Sequence, residues 1–284
     1  MSSICVLTDS AAQFPQLGFS GKNDIRVIPF DIEVNGQLYP EGIDLHAADL
    51  PASANGKLYP RLLVPSVLKF QELFLTLAQH YRDIIAIMSS SAMTSAYANA
   101  YKAMEATRGR ANVTLIDSQV TSVGLGLLVQ HAAEAVAQGL PLVEVERQVR
   151  SRIPHTYMML CTPSMSYLYH AGFVDASQAA VGEMLGIMPI FTLEEGRMSS
   201  VEKVRNSRAL ADFMQEFICE FEVLDHIALL QSTPSMTHEA RLLREHAQSF
   251  FPQTPLSELT ISPPLATLIG PRSIGLVAVE RPGN

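Results

Sequence analysis

The sequence predicts an α/β fold in two domains: a parallel sheet covered by helices on both faces, then a second α/β unit with a mixed sheet. Three observations predict it. Apolar runs at Ile4–Leu7, Ile84–Met88 and Val113–Ile116 each end in small polar side chains, namely Thr8-Asp9-Ser10, Ser89-Ser90-Ser91 and Asp117-Ser118. Between the runs, apolar residues recur at helical spacing, so strand and helix alternate as in a doubly wound sheet. Ile153-Pro154 then interrupts the pattern, which places one boundary there and gives domains 1–153 and 154–284.

Each element follows from local signals. After the first strand, Ile25 to Ile32 reads as a second, and Asn35-Gly36 turns the chain back through Gln37-Leu38-Tyr39 as an edge hairpin. From Ser66, Phe70, Leu73, Phe74, Leu77 and Tyr81 mark one face of a helix capped by that serine. Helices follow over Met93–Ala106 and Thr121–Gln138, the latter stopped by Gly139 and Pro141, and then over Leu142–Arg152. The second half reads as a strand Thr156–Cys161 and helices Ser164–His170 and Asp175–Leu185. A hairpin follows, Met188–Leu193 with Met198–Val204, turning at Glu195-Gly196. A helix Arg208–Glu220, a strand Ile227–Gln231, a helix His238–Ser249 and strands Glu258–Ile261 and Ile274–Val279 complete it.

Composition narrows the function. A formal net charge of −8 without a long basic run argues against nucleic acid as partner. No apolar stretch approaches the roughly 20 residues that cross a bilayer, and Met1-Ser-Ser-Ile-Cys-Val lacks the form of a signal peptide, so a cytoplasmic protein is expected. Cys5, Cys161 and Cys219 lie in apolar patterns without CxxC spacing and read as buried free thiols.

Chemistry-bearing motifs are sparse. His238-Glu239 lacks the second histidine of a zinc-binding helix, and no metal is expected. Gly124-Leu-Gly126 lacks the third glycine and the Lys-Ser or Lys-Thr of a phosphate loop, so close helix packing explains it more simply, and no cofactor is expected. No serine sits in a GxSxG elbow. The polar ends of the apolar runs remain: if those runs are parallel strands, their carboxyl ends share the sheet edge where open α/β folds bind ligands. The same Asp and Ser residues equally suit helix capping.

Taken in order, these segments resemble the DegV family. The resemblance is carried by Thr8-Asp9-Ser10, Tyr39-Pro-Glu-Gly42-Ile-Asp44, Ser90-Ser91-Ala-Met93-Thr94-Ser95-Ala-Tyr97 and Asp117-Ser118 through Gly126. It continues through Tyr167-Leu-Tyr-His-Ala171-Gly172, Ile187-Met-Pro189-Ile190, Glu202-Lys203-Val204-Arg205 and Gly270-Pro271 through Gly275. It implies a DegV-like two-domain fold, with a three-layer N-terminal domain and a C-terminal lipid-binding domain. It also implies a long-chain fatty acid held between and within the domains and presented to a fatty acid kinase. The chain itself would then be a non-catalytic subunit, monomeric by default.

The chain departs from the family at the head-group contacts. A threonine and a histidine expected there are Leu62 in Leu62-Leu63-Val64-Pro65-Ser66 and Leu268 in Leu268-Ile269-Gly270-Pro271-Arg272. Thr94 stands where the family has a serine, and Ala171-Gly172-Phe173-Val174 has lost an arginine. Each lost hydrogen bond to a charged group is worth about 1.5–3 kcal/mol, whereas an acyl chain gains about 0.8 kcal/mol per buried methylene, so tail-driven binding survives. The head-group candidates are Ser91, Thr94, Ser95 and Arg272, the last in place of the missing contacts. Asp9, Ser10, Asp117 and Ser118 are candidates for shaping the crevice. Leu62, Met158, Leu160, Phe173, Ile187, Ile190 and Leu268 are candidates for lining the acyl chain, though each also suits plain core. Lys203 and Arg205 read as a solvated hairpin face or a docking surface for a kinase. Two other readings stay open: an enzyme acting on a small polar or phosphorylated substrate at Asp9, Ser91 and Asp117, and a carrier of another apolar lipid without a kinase partner.

Overall fold

The computed structural model describes residues 4–16, 18–54, 59–231 and 237–282; Met1-Ser-Ser and the side chains of His238 and Glu239 lie outside the described residues. In chain order the elements are β1 (Ile4–Asp9), β2 (Ile25–Ile28), β3 (Asp31–Val34), β4 (Gln37–Tyr39), β5 (Arg61–Leu63), α1 (Val67–Leu77), β6 (Asp83–Met88), α2 (Ala96–Ala106), β7 (Val113–Asp117), α3 (Ser122–Ala137) and α4 (Leu142–Arg152). They continue with β8 (Thr156–Cys161), α5 (Met165–His170), α6 (Ala176–Met184), β9 (Met188–Glu194), β10 (Arg197–Val204), α7 (Ser207–Cys219), β11 (Leu224–Gln231), α8 (Thr237–Phe250), β12 (Leu256–Thr260), α9 (Pro263–Ile269) and β13 (Ile274–Glu280).

The chain divides into two compact units. Met1–Asp31, Leu63–Pro154 and Glu195–Arg197 form the first, and Ile32–Leu62, His155–Glu194 and Met198–Asn284 the second. A single boundary at 153/154 therefore has to be redrawn, because residues 32–62 belong with the second unit. The physical reason is a set of bonds distant in sequence: the Tyr167 hydroxyl donates to the Pro51 carbonyl at 2.7 Å, the Ala54 N–H to Ser166 Oγ at 2.9 Å, and Ser164 Oγ to the Ala52 carbonyl at 3.2 Å.

In the first unit the sheet order is β2-β1-β6-β7, and every pairing is parallel. All six residues of β1 and of β6 are buried, as happens when helices cover both faces of a parallel sheet. Ser66 caps α1 by accepting from the Lys69 N–H at 3.3 Å, and the helix buries Phe70, Phe74 and Leu77, worth about 1.5–3 kcal/mol each. Gly126 of α3 has no room for a side chain, since a Cβ there would lie 2.0 Å from the Gln13 carbonyl oxygen. The Gly124-Leu-Gly126 stretch is thus a place where helix meets backbone.

The strand expected over Ile25–Ile32 is broken. Pro29 has no N–H to donate, Phe30 donates its own to Ser10 Oγ at 2.8 Å, and β3 leaves for a separate sheet of order β4-β3-β5. Asn35 and Gly36, at φ 52° and 79°, make the expected tight turn between β3 and β4.

The second unit carries a mixed six-stranded sheet of order β10-β9-β8-β13-β11-β12, with β11–β12 parallel and the β8–β9, β8–β13 and β11–β13 pairs antiparallel. Alternation along β8 assigns its two faces. Met159 and Cys161 join Ile190 in the apolar core built with Leu210 and Met214 of α7 and Leu243 of α8. Leu160 pairs with Phe191 on the opposite face. Cys5 and Cys161 are buried free thiols, whereas Cys219 ends α7 on the solvent side and is exposed, with Sγ 3.4 Å from His246 Nε2. No helix of the described residues is long and apolar enough to cross a membrane.

Candidate functional site

In the first unit the carboxyl ends of β1, β6 and β7 bring the sequence-predicted rim together. Asp9 is fully buried, and its carboxylate accepts from the Ala11 N–H at 3.0 Å and from the N–H and hydroxyl of Ser89, each at 2.7 Å. Burial pushes its carboxyl up to about 6, against the opposing pull of those hydrogen bonds. Ser10 accepts from Phe30, and Ser118 donates to the Val120 carbonyl at 2.9 Å. Asp117 Oδ1 accepts from the N–H groups of Ser91 and Gln119 at 3.2 and 3.0 Å. All four polar groups are spent on neighbouring protein atoms, which fixes the shape of the strand ends.

The hydroxyls beside them are less committed. Thr94 Oγ1 lies 3.3 Å from both Ser89 Oγ and the Ala96 N–H, while Ser91 and Ser95 are exposed. Ser95 precedes α2 without capping it through its side chain, and the helix starts at Ala96 because Met93 and Thr94 donate to the Ser90 carbonyl in a tight turn. Ser90, which sequence reasoning left among the strand-end serines, donates to the Gly196 carbonyl at 2.6 Å.

The second unit holds a cavity of mixed polar and apolar lining, about 440 Å³ in volume, within the range of about 300–1,000 Å³ typical of small-molecule sites. It lies on the Phe191 face of the sheet, and its walls include Met165, Phe173, Val181, Ile187, Phe191 and Met198. Its polar lining is Gln178, Ser200 and Lys203. Phe173 and Ile187 are thus at the cavity. Leu160 sits beside Phe191 by strand register and Met158 shares its face, both fully buried, while Ile190 points to the α7–α8 side and belongs to the core there.

Leu62 and Leu268 are half-buried and Arg272 is exposed; none of the three is a wall of this cavity. Beside Leu268, Thr162 Oγ1 and Ser273 Oγ both donate to the Ile269 carbonyl, at 2.6 and 2.7 Å, and hold the Gly270 turn at φ 90°. Sequence reasoning did not single out Met165, Val181, Phe191 or Met198 as lining. Alternation on β9, with Pro189 and Phe191 together, was the available signal. Among the described residues no cluster of His, Cys, Asp and Glu is arranged to hold a metal ion.

Comparison with known proteins gives these features a context. The profile described as "Uncharacterised protein, DegV family" matches residues 3–281. A DegV domain-containing protein of Caldanaerobacter subterraneus is 27% identical over 225 residues, covering 78% of this chain and 80% of that one. Among solved structures, a fatty-acid-binding DegV family protein from Thermus thermophilus superposes with a TM-score of 0.81 at 20% identity, over 98% of this chain and all (100%) of that one. The Streptococcus pneumoniae Fatty Acid Kinase (Fak) B3 protein, loaded with linoleic acid, does so with a TM-score of 0.81 at 17% identity, over 98% and 100%. The α/β architecture with one parallel and one mixed sheet is the one those structures share. With a profile that spans nearly all of its length, the chain belongs to the DegV family.

Proposed function

We propose that this protein binds a long-chain fatty acid, with the acyl chain in the cavity of the second unit, and acts as a carrier that hands the carboxylate to a fatty acid kinase. The observation that carries the reading is the cavity, whose walls are chiefly Met, Phe, Ile and Val side chains. An alkyl chain gains about 0.8 kcal/mol per methylene on leaving water for such a lining. The fatty acids bound by the Thermus and Streptococcus proteins support the ligand class, and the kinase name of the latter supports the partner. In the first unit, Ser91, Thr94 and Ser95 are proposed as neutral donors to a head group, supported by Asp9, Ser10, Asp117 and Ser118.

The enzyme reading draws less support from this geometry. Asp9 and Asp117 spend carboxylate oxygens on backbone N–H groups, where they act as braces for the strand ends. Extraction of the purified protein with organic solvent, followed by mass spectrometry, separates the readings. A stoichiometric long-chain acid is expected. A neutral lipid would redirect the reading to another apolar ligand, and a protein that neither carries nor takes up any lipid would overturn it.

A further inference from the structure

Two of the three cysteines are shut away from solvent. Cys5 in β1 and Cys161 in β8 are buried, and loss of hydration pushes their thiols up to about 11 and about 12. Cys219, the last residue of α7, is exposed, and its Sγ lies 3.4 Å from Nε2 of His246 on α8. Packing fixes the pair: Ile218 and Ala247, the chain neighbours of Cys219 and His246, are both buried in the one core that α7 and α8 share. Phe250, one turn further along α8, stacks on the imidazole with ring centroids 4.4 Å apart and planes at 29°. A thiol beside an imidazole that a third group orients is the arrangement that activates a cysteine nucleophile. Both helices cover the sheet face opposite the cavity, so the pair is separate from the proposed ligand site.

We infer that Cys219 and His246 form a thiol-exchange site, at which a low-molecular-weight disulfide converts Cys219 into a mixed disulfide. With the imidazole proton on Nδ1, Nε2 accepts the proton of the Cys219 thiol, and Sγ attacks one sulfur of the small disulfide. The S–S bond of the reagent breaks as the new one forms, and the departing thiolate takes the proton back from His246. The cysteine is oxidised, and half of the small disulfide leaves reduced, as a thiol. Glu216, one turn before Cys219 on α7, and Glu220 beside it are exposed carboxylates, so a disulfide carrying amines suits the site better than one carrying carboxylates.

The test treats the native full-length protein with cystamine and follows adduct formation over time by intact-mass and peptide mass spectrometry, for the wild type, Cys219→Ser and His246→Asn. The wild type should gain one adduct per chain, on Cys219, and Cys219→Ser none. His246→Asn should take the same adduct at a rate lower by about tenfold or more, from the loss of the base. Added imidazole should restore part of that rate, which a purely structural role for His246 would not allow. Circular dichroism of each variant shows that the fold is retained. Adducts on Cys5 or Cys161 in place of Cys219, or no adduct on the wild type, would overturn the assignment of the site. A His246→Asn rate equal to that of the wild type, or one that imidazole leaves unchanged, would overturn the role of His246 and leave Cys219 an ordinary surface thiol.

Discussion

Replacing Asp9 by Ala is expected to destabilise the protein by about 3–5 kcal/mol near pH 4, and by less as the pH rises. The carboxyl oxygens accept from two backbone N–H groups and one hydroxyl in a fully buried setting, and each donor left unpaired costs about 1–3 kcal/mol. The pH dependence follows from the carboxyl lying at about 6 in the folded protein against 3.8 for the free group. Between those values the folded chain holds a proton that the unfolded chain releases. The stability this group contributes is fully present below about pH 4 and is lost as pH rises through about 6, a change on the order of 3 kcal/mol at about 1.4 kcal/mol per unit. Urea denaturation of wild type and Asp9→Ala at a series of pH values checks it: the gap in unfolding free energy should shrink between pH 4 and 7. A gap independent of pH would show that Asp9 is ionised throughout.

Gly270→Ala is expected to cost about 2–6 kcal/mol, for two reasons that add. At φ 90° and ψ 152° the backbone occupies a region open almost only to glycine, where another residue pays about 1–3 kcal/mol. A Cβ would also lie 2.7 Å from Ser164 Cβ and 3.1 Å from Tyr167 Cδ2. Neither neighbour yields easily: Ser164 Oγ is bonded to the Ala52 carbonyl, and Tyr167 is buried with its hydroxyl on Pro51. Overpacking of this kind adds about 1–3 kcal/mol. Gly139→Ala is the control, because Gly139 has φ 82° with nothing within 4 Å of its missing Cβ and should show the backbone cost alone. By thermal unfolding, Gly270→Ala should lower Tm by on the order of 10 °C. Equal losses in the two variants would contradict the packing argument.

Where the sequence announces structure locally, it was legible. Ser66 before an amphipathic run, Asn35-Gly36 between apolar pairs, and Leu142–Arg152 after Pro141 each carry their own signal within a few residues, and each forms the element expected. The assignment of residues 32–62 to the second unit was not legible, because it depends on Tyr167, Ser166 and Ser164 bonding backbone more than a hundred positions away. Nor was the break at Pro29, although proline's missing N–H was visible. It took the Ser10 hydroxyl to capture the Phe30 N–H and end the strand.

The candidate site divides in the same way. Strand-end polar residues such as Asp9 and Asp117 stood out because they interrupt apolar runs. The face on which a core residue lies depends on strand register, so Ile190 and Leu160 look alike in sequence yet sit on opposite sides of one sheet. Lys203 read in the sequence, with Arg205, as a solvated hairpin face or a docking surface for a kinase, and neither reading placed it at a cavity. Only the shape of the cavity brings it to the apolar wall.

The central claim is that apolar burial in the cavity of the second unit drives binding. Titrating the delipidated protein with saturated acids from octanoate to octadecanoate tests it most directly. At about 0.8 kcal/mol per methylene, Kd should fall about fourfold with each added carbon until the cavity is full and then level off. Affinity that does not change with chain length would contradict the account, because the ligand would then be held by its head alone.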